Sequence, residues 1–326
     1  MKKMLRFLRV FLTGLVIAIA AIGALFGYFV YSPDPELPHL AGTLAKGSME
    51  VDGLKRTYRT YVPGGLKDGA PLVVVMHGSG ENGAQVRMET GYEFDRLADQ
   101  HGFAVVYPDS YTFDWNDCSK VGDFRVKERE VDDVSFLIAL VDKQMAEVHV
   151  NRDRVFATGI SAGGFMSIRL ALEAPSRFRA VAAVAANVPV PANFKCQPAT
   201  HATSVMIMNG TRDPLVPFDG GEVNLLGFFY SSGTVRSSLA SAQYFADLNR
   251  INAKPESSQM HLSDDIDVEH TLWRNDSRAE VELVAIRGGG HGLPQAYWRR
   301  PRLLGPSPMQ PDGPALIWAF FDRQTP

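Results

Sequence analysis

The chain opens on an apolar run. Val10 to Tyr31, VFLTGLVIAIAAIGALFGYFVY, holds no charged residue. As a helix it reaches about 33 Å, enough to cross a hydrocarbon core of about 30 Å. MKKMLRFLR before it carries Lys2, Lys3, Arg6 and Arg9, whereas Asp34 and Glu36 follow it. That asymmetry predicts a basic cytoplasmic segment over 1–9, a transmembrane anchor over 10–31 and the rest of the chain outside. Phe26, Tyr28, Phe29 and Tyr31 then sit near the outer interface. Ala18-Ile19-Ala20 matches a cleavage pattern, so a cleaved signal is the competing reading. Cleavage inside the run would leave a second apolar stretch on the mature terminus, and length favours the anchor. A buried core helix fits poorly, because such a helix shows a polar face. SPDPELP, Ser32 to Pro38, has three prolines and reads as a linker over 32–45, with a globular domain over 46–326.

Beyond residue 70 short apolar runs alternate with amphipathic segments. PLVVVMHG (Pro71–Gly78), FAVVYPD (Phe103–Asp109), RVFATGI (Arg154–Ile160), AVAAVAANV (Ala180–Val188), SVMIMNGT (Ser204–Thr211) and VELVAIRG (Val281–Gly288) read as buried strands. Between them, Tyr92–Gly102 puts Phe94, Leu97 and Ala98 on one helical face. Val131–Val150 begins with acids, as a helix N-terminus prefers, and carries Val134, Leu137, Ile138, Val141 and Met145 as a stripe. Phe165–Ala174 is a helix halted by Pro175, and Pro314–Gln324 a closing helix with proline first. The alternation predicts an α/β domain, a parallel sheet with helices on both faces. In such sheets ligands sit beyond the carboxyl ends of strands.

The residues just after the strands carry the candidate chemistry. His77-Gly78-Ser79-Gly80 follows the first, Ser161 between Gly159 and Gly163 the third, Asn209-Gly210-Thr211-Arg212-Asp213 the fifth and Gly289-Gly290-His291 the sixth. A serine hydroxyl needs a base to become a nucleophile, and a sharp strand-to-helix turn between small residues exposes it. His291 suits the base and Asp213 the group that orients it. The Ala162 N–H, at the helix start, and that of Ser79 suit an oxyanion hole. A G-x-S-x-G match alone arises by chance about 0.1 times in a chain this long. Here it joins a strand to a helix, with Asp and His at later strand ends in the order Ser, Asp, His. His77 reads as a structural loop histidine, and His149, His201, His261 and His270 as surface or core residues. Asp132 and Asp133 rival Asp213, but helix N-terminal charge explains them.

Composition narrows the classes. The 326 residues have a formal net charge of −3 and no basic run interleaved with aromatics, so nucleic-acid binding is not expected. No metal-type Cys/His spacing occurs, and neither a metal nor another cofactor is expected. The two cysteines, Cys118 and Cys196, are either free thiols or, in an exported domain, a bridge.

These motifs resemble the α/β-hydrolase superfamily, and more closely its polyhydroxybutyrate depolymerase and feruloyl esterase group, carbohydrate esterase family one. The pieces that carry the resemblance are PLVVVMHGSGENG, WNDC at Trp115–Cys118, VDDVSFLIALVD, RVFATGISAGGFMS, NGTRDPLVPFDGGEV and IRGGGHGLP. The resemblance implies an α/β-hydrolase fold, Ser161, Asp213 and His291 as a triad, and an ester substrate. It also favours a Cys118–Cys196 bridge, since secreted relatives carry disulfides. Where such proteins often read GGGHTWPG, this chain reads GGGHGLPQ. Leu293 thus replaces a tryptophan at the expected pocket rim, which would alter acyl or alcohol preference. The separate substrate-binding domain of extracellular polymer depolymerases is not expected after Gln324, nor is binding to a solid polymer.

The leading expectation is a membrane-anchored serine esterase with its catalytic domain periplasmic or extracellular; after signal cleavage it would be secreted. Feruloyl-type esters and short 3-hydroxyalkanoate oligomers are the candidate substrates. An acyltransferase using the same triad, a peptidase, and a non-catalytic anchored binding module are the alternatives; the strained nucleophile turn argues against the last. Trp115 reads either as a stacking platform for an aromatic acid or as a core or rim residue. Val223–Gly233, apolar and loop-like, reads either as a lid or as core packing. Oligomeric state has no signature in the sequence.

Overall fold

The computed structural model describes residues 2–122, 125–225, 229–263, 266–275 and 279–324. The apolar run is helix α1 (Lys2–Phe29), exposed along its length. Strands β1 (Thr43–Val51) and β2 (Leu54–Val62) form a hairpin, followed by β3 (Leu72–Met76), α2 (Gly83–Glu89), α3 (Glu93–His101) and β4 (Ala104–Pro108). Then come α4 (Arg125–Glu128), α5 (Asp133–Val148), β5 (Val155–Ile160), α6 (Ala162–Glu173), β6 (Ala180–Val184) and β7 (Ser204–Gly210). A small ribbon of β8 (Gly221–Leu225) and β9 (Phe229–Val235) precedes α7 (Ser238–Leu248). The chain closes with β10 (Glu256–Ser263), β11 (Ile266–Trp273), β12 (Val281–Arg287) and α8 (Gly313–Arg323).

Among the described residues the main sheet has 10 strands in the order β1-β2-β4-β3-β5-β6-β7-β12-β11-β10. Neighbours from β4 to β12 are parallel; each flanking hairpin is antiparallel. The central strands are buried on both faces, which is why they lack polar alternation. Leu72, Val74 and Met76 of β3 pack with residues of α5, α6 and α7. Val73 and Val75 point the other way, into a core shared with α2, α3 and α8. This is the α/β fold the pattern predicts, with a mixed, mostly parallel sheet.

The pattern did not announce the outer hairpins. β1 and β10 are exposed along most of their length, so neither needs an apolar face. The stretch read as loop-like over 223–233 instead contributes to the β8–β9 ribbon. Residues 226–228 lie outside the described residues. The base of the ribbon is core: Val223 and Val235 are buried, and the Arg236 N–H donates to the Val188 carbonyl at 2.9 Å.

A buried ion pair ties the helical layer to the sheet, and a disulfide ties two loops to each other. Arg56 on β2 meets Asp133, the first residue of α5, at 2.7 Å, both side chains almost wholly buried. The other Asp133 oxygen accepts the Asn116 N–H at 2.8 Å, and the Arg56 guanidinium lies 3.8 Å from the centre of the Phe136 ring. Asp132 caps α5 by accepting the Ser135 N–H at 2.9 Å. Both acids are therefore employed at the helix start, away from catalytic geometry. Cys118 and Cys196 are joined in a disulfide that closes a separation of 78 residues. A loop of that length is worth about 4 kcal/mol in the chain-entropy model. Replacing both cysteines by serine should lower the unfolding free energy by about that amount. Urea melts of the variant and of the reduced wild type should then coincide.

Candidate active site

The third parallel strand ends in a turn that only its sequence permits. Ser161 joins β5 to α6 with φ 57° and ψ −119°, a conformation costly for a residue with a side chain. Its N–H donates to the Val184 carbonyl at 2.9 Å on neighbouring β6. The turn is tight because α6 starts directly over β3: a Cβ on Gly163 would lie 2.3 Å from the Met76 carbonyl oxygen. A Cβ on Gly159 would lie 2.4 Å from the Gly163 carbonyl carbon. Both glycines are thus required by close backbone approach. The Ser161 hydroxyl has no hydrogen-bond partner among the described residues and caps no helix N–H. Such hydroxyls often gain their partner only when substrate binds.

Asp213 and His291 follow β7 and β12, which lie side by side. His291 Nδ1 is 2.8 Å from Asp213 Oδ2, both side chains buried. Asp213 Oδ1 accepts the N–H groups of Leu215 and Val216, each at 2.8 Å. A carboxylate opposite Nδ1 assigns the proton to that nitrogen and leaves Nε2 as an acceptor. The loop is fixed from behind: the His291 N–H donates to Leu304 O at 2.8 Å, and that of Gly290 to Pro306 O at 2.7 Å.

Ser79 follows β3, next to β5. The N–H groups on either side of it are used within the protein, Gly78 on Glu81 Oε2 at 2.9 Å and Gly80 on the Phe113 carbonyl at 2.8 Å. Ser79 Oγ donates to Asp114 Oδ1 at 3.3 Å. Ala162 is the first residue of α6, where N–H groups lack acceptors in their own helix. Glu81 also lies 3.7 Å from Arg300, which is buried and pairs with Glu89. Arg300 in turn packs where a Cβ on Gly292 would fall, 2.6 Å from its Cδ. One arginine therefore braces both the Ser79 loop and the His291 loop. Isolated loop charges of this kind carry no periodic signal, and sequence reasoning passed over them.

Other expected residues lie elsewhere. Trp115 is fully buried, its indole N–H donating to the His77 carbonyl at 2.9 Å, so its ring presents no face to a ligand here. Leu293 packs into the core beside Gly313 of α8 rather than at an open rim. His77 is structural: Nδ1 donates to the Gly78 carbonyl at 2.6 Å and Nε2 accepts the Ser110 N–H at 3.0 Å. Burial holds its pKa below the usual histidine value.

Asp114 was also missed. Its Oδ1 accepts from Trp115 N–H at 2.8 Å, but buried Oδ2 has no partner among the described residues. Burial pushes its pKa up to about 7, against an ordinary 3.8. Between those values the folded state binds the proton more tightly, so stability falls as pH rises through that window and stays lowered above it. Asparagine carries no such penalty. The Tm of Asp114→Asn relative to wild type should therefore rise by roughly 5 °C between pH 4 and pH 8. Parallel scanning calorimetry of the two proteins would check this, and a pH-independent difference would refute it.

The chain is similar to several known proteins. The family described as Esterase PHB depolymerase matches residues 56–246. "Putative esterase NocK" of Nocardia uniformis subsp. tsuyamanensis is 29% identical over 295 residues, 86% of this chain and 83% of its own. Poly(3-hydroxyalkanoate) depolymerase C of Paucimonas lemoignei is 26% identical, over 72% of this chain and 58% of its own. Feruloyl esterase C of Emericella nidulans is 27% identical, over 58% of this chain and 66% of its own. Among solved structures, the acetyl xylan esterase from Aspergillus awamori superposes with a TM-score of 0.52 at 16% identity, covering 77% of this chain and 94% of that one, a likeness of fold. With a match over more than half its length, this α/β-hydrolase chain belongs to the Esterase PHB depolymerase family.

Proposed function

We propose that the protein is a serine esterase that cleaves carboxylic esters through an acyl-enzyme on Ser161. The observation that supports this most is the buried Asp213–His291 pair at 2.8 Å, at the sheet edge where Ser161 stands in its strained turn. In this reading His291 Nε2 takes the Ser161 proton as Oγ attacks the ester carbonyl. Asp213 stabilises the resulting imidazolium. The oxyanion forms against the N–H groups of Ala162 and Ser79. Collapse breaks the bond to the alcohol, which leaves with the proton from His291. Water, deprotonated by His291, then attacks the acyl-enzyme, and the acid departs as Ser161 recovers its proton.

The names of the relatives supply the finer candidates, a feruloyl-type ester or a 3-hydroxyalkanoate oligomer. The apolar helix and the disulfide support a domain outside the cytoplasm. Helix α1 serves as its membrane anchor, since 27 of its residues form an apolar, unburied span.

The detergent-solubilised full chain, beside Ser161→Ala and His291→Gln, should be assayed on p-nitrophenyl acetate, methyl ferulate and a 3-hydroxybutyrate trimer. Each variant should lose kcat by roughly 10⁴-fold or more while unfolding as wild type does. Undiminished turnover by Ser161→Ala would sink the proposal. The preferred natural ester should give the highest serine-dependent kcat/KM.

A further inference from the structure

The end of α1 is fastened to the loop that supports His291. The Arg302 guanidinium donates to the Tyr28 carbonyl at 3.1 Å and lies 4.4 Å from the centre of the Tyr28 ring. The Ser32 hydroxyl donates to the Arg299 carbonyl. Two residues after Arg302, the Leu304 carbonyl accepts the His291 N–H. Arg302 to Leu304 is a single helical turn, and three residues span no more than about 10 Å.

The proline-rich linker is not a slack tether either. After Ser32 it runs along the domain, where the Ala41 N–H meets Asp99 Oδ2 at 2.8 Å and the Gly42 N–H meets the Tyr61 hydroxyl at 2.8 Å. The body of α1 stays clear of the domain, as a bilayer span must. So the outer end of the anchor lies beside the catalytic edge of the sheet.

The surface around that junction has the chemistry of a lipid headgroup contact. Residues 296–311, AYWRRPRLLGPSPMQP, hold three arginines and no acid in a chain whose net charge is −3. Arg300 is consumed by Glu89, but Arg299 and Arg302 are exposed, along with Tyr297 and Met309. Across the site, Phe113 is 59% exposed, and its carbonyl holds Gly80 of the Ser79 loop. Exposed cations among aromatic and apolar side chains suit anionic headgroups above an acyl boundary.

We infer that the site draws its substrate from the outer leaflet of the membrane that α1 crosses, the substrate being an amphiphilic ester whose apolar tail stays in the bilayer. This rests on the esterase and anchor readings above. The rigid junction holds Ser161 and His291 at the leaflet surface, so the ester reaches them without leaving the membrane.

The test uses the full chain in phosphatidylcholine–phosphatidylglycerol vesicles with the domain outward. Water-soluble p-nitrophenyl acetate is compared with p-nitrophenyl palmitate carried in the same vesicles. A second protein has a Gly/Ser insert of about 20 residues between Tyr31 and Ser32, which lets the domain drift by about 25 Å. The insert should leave acetate turnover unchanged and lower palmitate turnover at least tenfold. Equal palmitate rates with and without the insert would overturn the inference. So would a wild-type protein that turns over acetate and leaves palmitate intact. Acetate turnover that is absent, or that survives Ser161→Ala, would instead mean that the esterase reading has failed, and this inference with it. Release of the wild-type chain by alkaline carbonate would do the same to the anchor reading.

Discussion

Parallel pairing of β3, β5, β6, β7 and β12 is the constraint on which the rest depends. Parallel neighbours end at the same edge, so the loops after them gather there whatever their separation in the chain. The strands are buried on both faces, and polar side chains and irregular backbone are driven to that edge. The loops that carry Ser161, Asp213, His291 and Ser79 lie along this edge on this account and not through nearness in sequence. The same pairing sets the tightness of the Ser161 turn. Because α6 must cover β3 at backbone contact with Met76, the chain reverses within a few residues, and Ser161 absorbs the strain.

Buried acids near this edge separate by their partners. Asp213 has a donor for each oxygen: imidazole on one, two backbone N–H groups on the other. Asp133 is similarly matched by Arg56 and Asn116. Asp114 has one oxygen without a partner among the described residues, and desolvation governs it, raising its pKa to about 7. Burial pushes the fully paired Asp133 in the same direction, so donors around a carboxyl group temper desolvation without cancelling it. Arg300 shows the structural use of a matched ion, since it ties the Ser79 and His291 loops through Glu81, Glu89 and Gly292.

Helix α1 and the sheet edge that carries His291 are linked through one short turn. A free tether would let the domain reorient independently of the helix. Fastening Tyr28 and Ser32 to the 299–302 stretch couples the orientation of the domain to that of the helix. The surface charge differs locally: the chain is slightly acidic as a whole, but its strip beside α1 is basic.

The sequence by itself determined the α/β class, the buried strands and the order of Ser161, Asp213 and His291, because each is written in a local pattern. Apolar runs mark strands covered on both faces, and glycines around a serine mark a turn with no room for a Cβ. Exposed edge hairpins escaped that reading, since a strand with little buried surface needs no apolar period. Only the tertiary structure placed Trp115 and Leu293 in the core, because burial is decided by what packs against a residue from distant segments. The bracing by Arg300, the bare oxygen of Asp114 and the seam between α1 and the histidine loop belong to the same class. Each depends on how residues far apart in sequence pack together, and no local pattern encodes that.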